Sequence, residues 1–450
     1  MLPKLLKEQR WSRFLLVAGG LLVAVAMTVG ASRTAIPASG RLSSGLDRLG
    51  RFDFFERGQS LPRGSRSDDP SGPPTPGTGP APTADGQPEG PFPQLAEVLD
   101  FERMVEKRPG RVPVEVHGLY LTGYIAGQTE KVNLLLKALD GTSFNAFVID
   151  VKNDSGRISY RSDVPLTKAA GAGTDWIQEP GAYLAHLRDE GIYTIARIVV
   201  FKDPALARVR PDLAVQSQDG GPWRDRTGAT WLDPYRREVW DYAVALAQEA
   251  ARKGFREIQF DYVRFPSDGE TGKTIYSDAE GSRAETIGRF LKYAYEHLQP
   301  YDVYLSADIF GLVGTVTDDM GIGQRLEDIL GTVDYISPMV YPSHYSARNY
   351  GLEDPESRPY ETVLAGLRDY QRRMELAPSL TKIRPWLQDF SLRVHYGEAE
   401  VEGQIKAARE LGVNEFILWN PGNVYNTAVF REVSRPSQPS AESPVSGEVR

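Results

Sequence analysis

From about residue 113 to residue 433, short apolar runs alternate with longer stretches whose apolar positions recur every three or four residues. The first pattern is that of buried strands and the second that of helices lying against them. Eight runs read as strands: His117–Thr122, Ala146–Lys152, Tyr193–Phe201, Glu257–Phe265, Val303–Phe310, Tyr335–Tyr341, Lys382–Phe390 and Glu415–Asn420. Amphipathic helical stretches fall between them at Thr129–Asp140, Gly181–Glu190, Arg236–Lys253, Ala284–Leu298, Gln324–Gly331, Tyr360–Met374 and Gly397–Leu411. Several stop at a glycine just before the next strand, as at Gly191, Gly254 and Gly412, where a left-handed cap is needed. Repeated strand–helix units predict a parallel sheet, and eight of them predict a closed (β/α)8 TIM barrel. The alternative is an open doubly wound sheet, but the first strand is not followed by a glycine-rich phosphate loop.

The pattern changes at both ends. Lys4, Lys7, Arg10 and Arg13 precede an apolar run from Phe14 to Ala31. Basic residues stay on the cytoplasmic side, so residues 1–31 predict a single-pass membrane anchor with the rest of the chain extracytoplasmic. The other reading is a signal peptide cleaved after Val29-Gly30-Ala31, which would release a secreted protein. Residues 32–112 are read as a juxtamembrane segment and linker. Within them, Leu61 to Pro93 holds 10 Pro and 6 Gly in 33 residues, too many for helix or sheet, so this stretch is expected to be extended, solvated and disordered. Residues 434–450 form a second Pro/Ser-rich, disordered tail.

Composition narrows the function classes. A net charge of -8 gives no basic excess for nucleic acid. The absence of cysteine excludes thiolate nucleophiles and cysteine-ligated metal. The five histidines lack the close pairing of a metal site, and there is neither a Gly-x-Ser-x-Gly elbow nor a phosphate loop. No metal and no cofactor are therefore expected.

The run Glu257-Ile258-Gln259-Phe260-Asp261-Tyr262-Val263-Arg264-Phe265-Pro266 carries the strongest chemical signal. Ile258, Phe260 and Tyr262 share one face of the strand, and Gln259 and Asp261 share the other. Polar residues on the inner face near a strand's end are what a barrel uses to deliver functional groups to its C-terminal mouth. Applied to the other strands, the same parity turns Asp150 and Lys152, Arg197, Ser306 and Asp308, Tyr341, and Trp386 and Gln388 to one side, with Trp419 at the rim, Arg264 just beyond Asp261 and His344 on the loop after the sixth strand. Paired carboxylates, cations that tune them and flat rings that stack on sugars are what glycosidic cleavage needs. Each residue also has a plainer reading. Asp261 could pair with Arg264 or Arg197, Asp308 could cap a loop, and Asp150 could pair with Lys152. Trp386 and Trp419 could be core, Tyr341 could end its strand at Pro342, and His344 could be solvated. Glu257, at the start of its strand, belongs to the barrel floor and is set aside.

Five blocks, Phe147–Lys152, Gln259–Pro266, Ser306–Gly311, Ser337–Tyr345 and Arg384–Phe390, resemble the bacterial putative glycosyl hydrolase domain family over roughly residues 114 to 432. The resemblance implies a barrel related to glycoside hydrolases. A more distant similarity, through Met339-Val340-Tyr341 and Trp419, is to chitinase-like barrels. Their strand-4 signature ends in a catalytic glutamate, whereas this chain has Asp261 followed by Tyr262 and Val263, which departs from a substrate-assisted mechanism. The expectation is a glycosidase acting on a cell-envelope or extracellular polysaccharide, with Asp261 as nucleophile or base and Asp308 as proton donor or electrostatic partner. Asp150, Lys152, Arg197, Arg264, Tyr341, His344, Trp386, Gln388 and Trp419 would line the substrate. The competing expectation is a glycan-binding barrel without turnover.

Overall fold

The computed structural model describes residue 111, residues 114–277 and residues 280–433. The expected anchor, the linker and the C-terminal tail lie outside the described residues. Among those described, no helix is long and apolar enough to cross a membrane.

Eight parallel strands form the sheet: β1 (His117–Leu121), β2 (Ala146–Lys152), β3 (Tyr193–Val199), β4 (Glu257–Asp261), β5 (Tyr304–Phe310), β6 (Tyr335–Met339), β7 (Lys382–Ile383 and Trp386–Gln388) and β8 (Phe416–Trp419). They pair in chain order, and β8 returns to β1 through His117 opposite Phe416. Strand β7 is split at Arg384-Pro385, because proline has no N–H for the ladder. Its first piece pairs with β6. Its second pairs with β8 and touches β6 where Trp386 faces Met339, closing the barrel and ruling out the open sheet. The long helices follow the predicted periodicity to within two residues at each end, as in Thr129–Leu139, Arg237–Lys253, Arg283–Leu298 and Pro359–Leu376. The stretch expected as helix over Gln324–Gly331 shrinks to Leu326–Ile329. A two-stranded ribbon, Gln216–Ser217 against Thr274–Ile275, joins the excursions that follow β3 and β4.

Two apolar layers hold the barrel. The outer layer lies between strands and helices, where Phe290 meets Phe260 at 5.3 Å, Phe201 at 5.4 Å and Trp240 at 5.9 Å between ring centres. Burying a ring of this size contributes about 2–3 kcal/mol, and Phe290→Ala would cost about 3–5 kcal/mol because the cavity cannot close. The inner layer is smaller and includes Val116, Val148, Ile195, Trp386 and Ile417.

Two local departures from regular strand decide where the chemistry lies. Strand β4 was expected to run to Phe265 but stops at Asp261, because Tyr262 adopts φ +50. A non-glycine residue in that left-handed region stores strain and turns the chain out of the sheet. The second departure is an irregularity in β2. Asp150 faces Arg197, but Lys152 faces Ile198, so one residue is bulged between them. A single extra residue reverses side-chain parity.

Candidate active site

At the C-terminal mouth of the barrel, Arg197 gathers three carboxylates. Its Nη1 donates to Asp150 Oδ1 at 2.5 Å, and its Nε donates to Asp261 Oδ2 at 3.0 Å, with Nη2 on the same oxygen. Asp308 Oδ2 lies 3.9 Å from the same Nε. The facing oxygens of Asp261 and Asp308 are thus no more than about 7 Å apart, close enough for both carboxyl groups to reach one substrate bond. The strained turn adds another donor, since the Tyr262 N–H meets Asp261 Oδ1 at 2.5 Å. Asp150 accepts from the Tyr120 hydroxyl at 2.6 Å, and Asp308 Oδ1 accepts from Trp386 Nε1 at 2.7 Å.

One arginine cannot neutralise three buried aspartates. Burial pushes Asp308 well above the usual carboxylate range, and the neighbouring charge of Asp261 pushes it further; Arg197 and the Trp386 N–H pull the other way. Burial also raises Asp150, opposed by Arg197 and the Tyr120 hydroxyl. Side-chain exposure separates the trio: 9% for Asp261, 5% for Asp150 and 1% for Asp308. A carboxyl group whose hold on its proton is strengthened, beside one hydrogen-bonded by an arginine, is a pairing suited to acid–base chemistry.

The aromatic residues form a wall beside this cluster. Tyr341 stacks on Trp419 at 5.3 Å with an interplanar angle of 25°. Phe390 meets Trp419 edge-on at 5.1 Å, and His344 stands exposed at the rim, 5.2 Å from the Tyr341 ring. Trp419 and Phe390 are half-buried, whereas Tyr341 and Trp386 are buried.

Lys152 and Gln388 do not join the cluster. With its parity reversed by the bulge, Lys152 leaves Asp150 and places its amine 2.9 Å from Asp203 Oδ2 and 2.6 Å from the Val199 carbonyl. Asp203 also caps the helix Pro204–Val209 by accepting from the Leu206 N–H. The buried Gln388 side chain is spent on main chain, accepting from the Ser343 N–H at 3.1 Å and donating to the Phe390 carbonyl at 2.9 Å. Arg264 lies above β4 without pairing to Asp261, its guanidinium 4.9 Å from the Trp231 ring centre. Tyr120, which tethers Asp150, was missed by the sequence reading. The available signal was its parity: it lies one residue before the end of β1 and faces inward among Val148, Ile195 and Trp386. Among the described residues, no three His, Asp or Glu side chains are grouped to hold a metal ion.

A model of the family described as putative glycosyl hydrolase domain matches residues 118–425. The chain belongs to that family. None of the curated proteins compared with it matches. Among solved structures, the glycoside hydrolase domain of PgaB (BpsB) from Bordetella bronchiseptica is 14% identical, with 72% of this chain and 100% of that one covered at a TM-score of 0.51. This likeness is one of barrel fold. A hypothetical protein from Ruminiclostridium thermocellum ATCC 27405 is 38% identical over 45% of this chain and 98% of its own, with a TM-score of 0.40. A class V chitinase from Pseudomonas fluorescens Pf-5 is 11% identical over 71% of this chain and 100% of its own, with a TM-score of 0.44. This chain thus shares its barrel fold with a glycoside hydrolase domain, and its chemistry has to be argued from its own side chains.

Proposed function

We propose that the protein is a glycoside hydrolase that cleaves a cell-envelope or extracellular polysaccharide, held outside the cell by its N-terminal segment. The observation that carries this reading is the unequal sharing of Arg197 among Asp150, Asp261 and Asp308 at the barrel mouth. Asp261, the most exposed of the three, faces the substrate as nucleophile or as the base that activates water. Asp308 supplies the proton for the leaving oxygen or, once ionised, a counter-charge to the cationic transition state. Trp419, backed by Tyr341, provides the flat surface on which a sugar ring stacks. Family membership supports the reaction class.

The test is to incubate the full chain and its Asp261→Asn variant with a panel of envelope glycans and to follow new reducing ends. Turnover by the parent that the variant loses while keeping its fold supports the assignment. Equal turnover by both removes Asp261 from the mechanism. Sugar binding with no turnover by the parent makes the barrel a glycan-binding module instead.

A further inference from the structure

Arg264 differs from the other arginines that shape the barrel. Arg197 meets Asp150 and Asp261, and Arg384 meets Glu257 and Glu415. Arg264 is equally buried, with 8% of its surface exposed, yet among the described residues no carboxylate lies within ion-pair distance of it. Its guanidinium carbon sits 4.7 Å from the Phe310 ring centre, 5.0 Å from Tyr262 and 4.9 Å from Trp231. Only Nη1 is spent within the described chain, on the Phe265 carbonyl at 3.0 Å and Ser267 Oγ at 3.1 Å. Nε and Nη2 are left with protons to give. Lys202, which shares the Tyr262 and Trp231 rings, is by contrast held by Asp225 at 3.2 Å.

Position makes those free donors useful. Tyr262 directly follows Asp261, and Phe310 lies two residues beyond Asp308 on β5. Two residues of strand rise about 7 Å, so Phe310, whose ring packs against the guanidinium, leaves β5 about that far beyond Asp308, on the mouth side. Aromatic rings on three sides fix the plane of the fork. A planar fork with two adjacent N–H donors matches a carboxylate or a sulfate ester, and a desolvated arginine gains most from such a partner.

We propose that Arg264 forms an anion subsite, which receives an acidic substituent, carboxylate or sulfate, on the sugar next to the one that is cleaved. This identifies the substrate class as an acidic glycan and rests on the glycoside hydrolase reading above. It can be tested without turnover. Acetate and sodium sulfate are titrated into the full chain by calorimetry at constant ionic strength, with chloride as reference, and the titrations are repeated with Arg264→Gln and Arg264→Lys. The expected result is saturable millimolar binding of at least one anion, weakened at least tenfold in Arg264→Gln and partly kept in Arg264→Lys. The tighter of the two anions names the substituent. Anion binding that survives Arg264→Gln, or no binding above chloride in the parent, overturns the proposal. Should Arg264→Gln fail to fold, the parent titration and Arg264→Lys still decide. A protein that binds the anion but cleaves no glycan would refute the hydrolase reading and leave this subsite standing.

Discussion

The floor and the mouth of the barrel are built from the same chemistry and differ in how completely it is satisfied. At the floor, Glu257 takes two hydrogen bonds from Arg384 Nη1, at 2.8 and 2.9 Å, one from Ser306 Oγ at 2.6 Å and one from the Tyr193 hydroxyl at 3.1 Å. Arg384 also reaches Glu415 at 2.8 Å and stacks 3.7 Å from the Tyr335 ring centre. Every strong acceptor on Glu257 is filled, so nothing there is left to react. At the mouth, one arginine serves three aspartates, one of which burial and its neighbour push well above the usual carboxylate range. A buried carboxylate whose acceptors are all filled is scaffold; several that share one cation leave a group ready to give or take a proton.

This contrast can be broken in order of expected effect. Asp261→Asn should lower kcat on the order of 10³-fold with little change in unfolding midpoint, since carboxylates that do acid–base or nucleophilic work are worth that much. Single-turnover assays on the cleaved glycan would check it, and a loss below tenfold would move the mouth into the same class as the floor. Glu257→Gln should do the reverse. Weakening the tie to the buried Arg384 should cost about 3–5 kcal/mol in urea unfolding, while kcat of the folded fraction holds.

Asp308→Asn sharpens the comparison through pH. The Asp308 carboxyl is raised in the folded protein, so folded protein binds more protons than unfolded protein between the two pKa values. Stability is therefore highest below the unfolded carboxylate range and falls as pH rises toward the folded value. An amide at this position can still accept from Trp386 and carries no charge, so the variant should be about 1–2 kcal/mol more stable at neutral pH, with the advantage fading near pH 3. It should also lose the alkaline fall in turnover. A variant no more stable than the parent at pH 7 would mean that the mouth carries no imbalance. The smallest effect belongs to the wall. Trp419→Ala should raise KM about tenfold and leave kcat within a factor of three, as expected for a stacking surface used alike in the ground and transition states.

Much of the barrel was legible in the chain because its rules are local. Alternating apolar runs, helical spacing and glycine caps placed all eight strands, and parity put Asp261, Asp308, Arg197 and Asp150 on one inner surface. Parity failed at Lys152, where a bulged residue in β2 turns the amine toward Asp203, and the pattern of apolar positions carries no mark of a bulge. It also ran too far in β4, because the left-handed turn at Tyr262 is imposed by surroundings and not by the preference of tyrosine.

By itself the sequence determined the fold class, the inward-facing residues and the kind of chemistry they favour, since each follows from period and residue type. Only the tertiary structure decided the partners. That Arg197 is shared three ways and that Glu257 is saturated depend on residues tens to hundreds of positions apart meeting within 4 Å, and that Arg264 keeps two donors free depends on the rings that surround it. Charge balance is a property of such a meeting place in three dimensions, where burial fixes both the cost of each charge and the number of partners within reach.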